Sequence, residues 1–176
     1  MAAPGNLSRI QCCSEGAEVR LTRSAALRCF GPMLGKRPWR ASLGFGSFLT
    51  FEFGQRVRHG EFWHGRWHLW IYMSSWRLDG PRGFLVTSDS ARELIARVVP
   101  RLTAHPLTAV DIKPGARCTT FEFGQRFFLN VTPFGVEEET HPDPADYWMF
   151  FMPRHMVLTL RPRCRISIQR SDRPRE

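Results

Sequence analysis

The sequence predicts an α+β domain, mostly antiparallel β, made of two duplicated β units joined by one helix. Three observations predict it. The heptad Thr-Phe-Glu-Phe-Gly-Gln-Arg occurs at 50–56 and again at 120–126, and such a repeat in a chain of 176 residues reports on architecture rather than chemistry. Around each copy, apolar and polar residues alternate with the period of a half-buried strand. Between the copies lies one stretch with apolar residues at helical spacing.

Residues 1–37 are rich in Ala, Ser and Arg and hold no sustained periodicity. They read as a disordered or over-extended segment, with Met33 as an alternative start. Residues 38–169 are expected to form one domain, and 170–176 a basic tail. In the first unit, 41–80, Leu49, Phe51 and Phe53 share one strand face while Thr50 and Glu52 share the other. Gly54-Gln55 is expected to close a type II′ hairpin, since glycine suits its first central position. An aromatic strand follows at 66–72 and a short one at 76–78.

The helix is expected over 89–102. Ser90 and Glu93 have capping-box spacing, and Leu94, Ile95, Val98, Val99 and Leu102 form one stripe. Pro100 should end or kink it near Val99. The second unit, 107–169, opens with a strand at 107–112 and repeats the hairpin at Gly124-Gln125. It then carries an aromatic strand at 146–152, with Trp148 as the counterpart of Trp67, and further strands at 155–161 and 166–169.

Composition narrows the function classes. Fourteen Phe, six Trp and two Tyr are too many large rings for a disordered chain. No apolar run approaches the ~20 residues that span a bilayer as a helix. The formal charge of +9 sits at the ends: residues 1–40 and 153–176 each carry seven basic against two acidic side chains, while 41–152 carries eleven against twelve. Phosphate attraction would therefore come from the termini. Five cysteines, Cys12, Cys13, Cys29, Cys118 and Cys164, form no C-x-x-C pair, and their odd number fits a reducing cytosol.

If Trp67, Leu69 and Ile71 face the core, then His68, Trp70 and Tyr72 point the other way, with Trp63 and Arg66 beside them. Together with Glu137, Glu138, Glu139 and Asp143, in an acidic proline-broken segment, these are the candidate binding residues for a protein partner. Interleaved with Arg66 and Arg77, the same rings offer an alternative, the stacking of nucleobases. His59, His64 and His68 with Glu61 have the residue types of a zinc site. Gly60 and Gly65 place two of them near turns, however, and the second unit has no counterpart, so exposed turn histidines are expected and neither metal nor cofactor.

Glu52 and Glu122 are expected on solvent faces, paired across their hairpins with Arg56 and Arg126. Acid–base work by the two carboxylates would require them to converge in one pocket. The G-x-S-x-G, H-E-x-x-H, P-loop and dinucleotide fingerprints do not occur, and no catalytic residue is assigned.

At Gly46-Ser47-Phe48-Leu49-Thr50-Phe51-Glu52-Phe53-Gly54, then Trp67-His68-Leu69-Trp70-Ile71-Tyr72 and Trp76-Arg77, the chain resembles a group of small bacterial proteins of unknown function. They share these strands, a following helix and a second Thr-Phe-Glu-Phe strand; the resemblance spans residues 38–160 and implies no activity. The duplicated layout is also similar to that of some immunity proteins that neutralise bacterial toxins. The expectation is a non-catalytic cytosolic protein-binding module, immunity- or antitoxin-like. The alternative is a nucleic-acid-binding protein using basic termini and an aromatic face.

Overall fold

The computed structural model describes residues 18–113, 118–133, 146–161 and 165–172, the side chains of His59 and Pro133 excepted. The chain forms β1 (Val19–Arg20), α1 (Arg23–Phe30), β2 (Pro38–Leu43), β3 (Leu49–His59), β4 (Phe62–Ile71), β5 (Ser74–Gly80) and β6 (Gly83–Thr87). After α2 (Arg92–Val98) come β7 (Leu107–Lys113), β8 (Cys118–Phe123), β9 (Phe127–Pro133), β10 (Trp148–Met152), β11 (Met156–Arg161) and β12 (Arg165–Arg170). Alternation makes each strand two-faced, and two antiparallel sheets bury their apolar faces on each other. One has seven strands in the order β1-β12-β11-β10-β4-β3-β2, the other five in the order β6-β5-β9-β8-β7. Phe51 of β3 stacks on Phe123 of β8 at 5.5 Å, and Trp148 of β10 donates its indole N–H to Thr119 Oγ1 of β8 at 3.0 Å. The mostly antiparallel α+β class holds.

The halves match in register. A slip between Pro38 and Arg40, opposite Phe53 and Glu52, recurs between Leu107 and Ala109, opposite Phe123 and Glu122. Leu69 faces Phe51 as Leu129 faces Phe121. The next hairpin of each half then crosses over: β5 pairs with β9, and β10 with β4. Trp76 lies opposite Val131 and Trp148 opposite Ile71, so these two tryptophans are counterparts. Trp67, opposite Phe53, corresponds instead to Phe127, opposite Phe123, which corrects the expected match of Trp67 with Trp148.

The identical heptads part company at their glycines. After Phe123 the chain reverses at Gly124 and Gln125, whose φ values of 60° and 57° carry the signature of type I′ rather than type II′. After Phe53 it does not reverse. Gly54, at φ 71°, and Gln55 make a bulge inside a continuous β3, and the turn falls near Gly60. The reason lies downstream: Arg56-Val57-Arg58-His59 continues the strand alternation up to the turn signal Gly60, and Phe62–Gly65 supplies it a partner.

Residues 18–37 depart from the expected disorder. Thr22 caps α1 by accepting from the Ala25 N–H at 3.3 Å. Phe30 lies between the sheets, stacked on Phe150 at 4.4 Å and edge-on to Phe121 and Trp148. Ala26 and Met33 are fully buried beside it. Only residues 1–17 of the expected segment, and 173–176 of the tail, lie outside the described residues.

Thus α2 is one of two α-helices in the described residues. It is shorter than expected, giving way at Val99 to a 3-10 turn, Val99–Ala104, with Pro100 in its first positions. The capping box is absent: Ala91 is the N-cap, and the Ser90 hydroxyl instead accepts the Thr87 N–H at 2.9 Å.

Candidate functional site

Strand alternation puts His64, Arg66, His68 and Trp70 on the outer face of β4, while Leu69 and Ile71 enter the core. Register then sets Glu52 of β3 directly opposite His68, and Phe151 of β10 opposite it on the other side. Below the bulge, Gly65 donates its N–H to Glu52 Oε2 at 2.6 Å. The other carboxylate oxygen, Oε1, lies 3.3 Å from His68 Nε2 and 3.8 Å from His64 Nδ1. The two imidazoles stack at 5.4 Å, and Trp70 donates its indole N–H to His68 Nε2. Three potential ligand atoms thus lie within 4.8 Å of one another.

Burial governs this cluster. Glu52 is 3% exposed, and desolvation pushes its carboxyl above the ordinary range, opposed by the Gly65 N–H, His64 and Arg40. Burial also drives the His68 imidazole down to about 3, helped electrostatically by the neighbouring His64 and by Arg40. At neutral pH His68 is uncharged, and its Nε2 offers the lone pair that the Trp70 indole engages.

An imidazole depressed on folding binds fewer protons than in the unfolded chain. His68 therefore favours folding above about pH 6.5, and that contribution disappears as pH falls towards 3. His68→Phe installs the residue found at the matching place in the other sheet, Phe128. Relative to this variant, the wild type is expected to lose stability on acidification through this window by at most about 1.4 kcal/mol per pH unit. Glu52, displaced the other way, is present in both proteins. Urea unfolding at pH 7, 5 and 4 measures the difference; parallel pH dependences would contradict it.

Above the cluster opens a cleft of about 900 Å³. Its walls are the outer part of the β3–β4 ribbon, with Val57, Arg58 and Arg66, and the β10–β11 turn, with Arg154 and His155. Trp70 and Phe151 form its apolar side, in contact edge-to-face at 5.3 Å.

The expected binding residues are only partly brought together. Arg66, His68 and Trp70 meet at the cleft, but His68 is buried rather than a contact residue. Tyr72 packs on Phe48 at 4.4 Å in a separate hollow of about 190 Å³ that shares the Trp70 wall. Trp63 falls, by alternation, on the opposite side of the ribbon. Glu137, Glu138, Glu139 and Asp143 lie outside the described residues.

Two further expectations are corrected. His64 and His68 are strand residues sharing a face, not turn histidines, because the reversal at Gly60 lies before both of them. Glu52 is buried and pairs with imidazoles, whereas Arg56 places its guanidinium over the Trp39 ring at 4.7 Å. Glu122 occupies the matching place on the other sheet, where it accepts from Thr108 Oγ1 at 3.0 Å. Since Phe51 and Phe123 meet in the core, Glu52 and Glu122 look outwards from opposite sheets and share no pocket. A paired-carboxylate enzyme is thereby removed. Comparisons of the chain with protein-family models, curated proteins and solved structures return no match.

Proposed function

We propose that this protein is a non-catalytic cytosolic binding module that takes an extended, acidic segment of a partner protein against its β3–β4 ribbon and the adjoining cleft. One observation carries this reading. Residues 54–66 run past both neighbouring strands, since β2 accompanies β3 only as far as Phe53 and β10 accompanies β4 only over His68–Ile71. Among the described residues, the ribbon's two outer edges are therefore open to an added strand. Apolar side chains are open on both faces of the ribbon as well, Phe62 being 70% exposed on the cleft side and Trp63 51% exposed on the other. Two strands alone bury too little surface to account for such residues, which fit the core of an interface. Arg58, Arg66 and Arg154 along the cleft favour acidic side chains.

Matching registers in the two halves support descent from one copied unit, and the resemblance of that layout to immunity proteins would make a toxin one partner of the required kind. The free thiols of Cys29 and Cys118 suit a reducing compartment. No helix among the described residues is long and apolar enough to cross a membrane.

Pull-down from the native host is expected to recover one protein at stoichiometric level. Phe62→Ser combined with Trp63→Ser should abolish that recovery while leaving the unfolding curve intact. Salt-sensitive binding of single-stranded oligonucleotides, with no protein recovered, would instead favour the nucleic-acid alternative.

A further inference from the structure

We infer that Glu52, His64 and His68 form a site for one divalent transition-metal ion of the zinc class, at the base of the cleft. The donor set is two imidazoles and one carboxylate, which suits Zn²⁺, Ni²⁺ or Cu²⁺ and not Mg²⁺, a cation that prefers oxygen ligands. In tetrahedral coordination at about 2.0–2.2 Å, neighbouring ligand atoms stand roughly 3.3 Å apart. The Glu52–His68 separation is 3.3 Å and the Glu52–His64 separation 3.8 Å, with all three ligand atoms within 4.8 Å of one another, so closing the set requires His64 to swing towards both partners. His64 is the more exposed of the two imidazoles and lies on the open ribbon, where such a shift meets least resistance.

The Gly65 N–H holds Oε2 from behind and leaves Oε1 facing the two imidazoles, as a hydrogen bond to a ligating carboxylate should. With the Trp70 indole displaced, Oε1 and the His68 Nε2 lone pair, 3.3 Å apart, can share one cation between them. Trp70 and Phe151 shield the ligands on one side, while the cleft leaves the fourth coordination position open. A water or an acidic side chain would fill it. The inference is independent of the binding-module reading: either can fail alone.

Metal coordination at Nε2 must displace the Trp70 indole N–H from that atom, which provides a spectroscopic handle. The full chain, stripped with chelator, is titrated with Zn²⁺ and with Co²⁺. The expected result is one ion per chain, visible bands of tetrahedral Co²⁺, and a change in tryptophan emission that Trp70→Phe removes. Glu52→Gln and His64→Ala should each weaken binding by at least about 100-fold, exceeding the 10–100-fold typical of losing an outer partner. His155→Ala, on the cleft wall, should leave it unchanged. His64→Ala keeps the test valid if Glu52→Gln does not fold. Absence of saturable uptake, or uptake that survives both substitutions, at thiols or elsewhere, overturns the inference.

Discussion

Phe30→Ala is expected to cost about 3–5 kcal/mol of folding stability, the usual range for emptying an aromatic site in a closed core. The ring stacks on Phe150 and touches Phe121 and Trp148 edge-on, so it joins β10 of one sheet to β8 of the other. No neighbouring side chain can follow into the void without leaving its own strand position. A chain starting at Met33 would lack the whole Thr22-capped helix together with Ala26 and Phe30, and should fail to fold cooperatively. Urea unfolding of the full chain, the point variant and the shortened chain checks both statements. A shortened chain with the full chain's midpoint would contradict them.

Gly65→Ala should be nearly as damaging for a different reason. A Cβ at this position would stand 2.5 Å from the backbone N and O of Phe53 and 2.6 Å from the Trp67 carbonyl oxygen. Backbone atoms in a paired sheet cannot step aside as a flexible side chain can. The strands must separate at the bulge, which also withdraws the Gly65 N–H from a carboxylate with almost no access to water. Overpacking typically costs about 1–3 kcal/mol, and the lost hydrogen bond places this change at or beyond the upper end. Thermal unfolding monitored by tryptophan emission measures it. Gly60→Ala, where a Cβ has open space but φ is 60°, is the milder comparison; equal losses for the two would refute the clash.

The fold class was legible because its signals are local. Alternation identified the cores of β3, β4, β8, β10 and β11, and Pro100 ended α2 where proline should. Other elements were not legible because tertiary partners define them. The two residues of β1 exist only against β12, and α1 is too short to hold without the sheets that Phe30 contacts. The turn expected at Gly54-Gln55 is a bulge because the heptad is only half of the instruction. Identical residues bulge or reverse according to whether the next segment finds a partner strand.

The cluster of Glu52, His64 and His68 was within reach. Two histidines four apart in a strand share a face, and a reversal at Gly60 together with a one-residue bulge at Gly54-Gln55 aligns Glu52 with His68. Phe151 and Arg154 carried no such signal, since only the crossing of β10 onto β4 brings them there.

That crossing has a consequence for biosynthesis. While the second half is still inside the ribosome, β5 has no β9 to lie against, and β4 shows an edge that β10 will later occupy. The five-stranded sheet must wait for β9 and the seven-stranded sheet for β10, β11 and β12, so the second is completed only near the end of synthesis. During that interval the nascent chain presents Trp76 and Ile71 without their mates, and it becomes a natural client for chaperones that guard such edges.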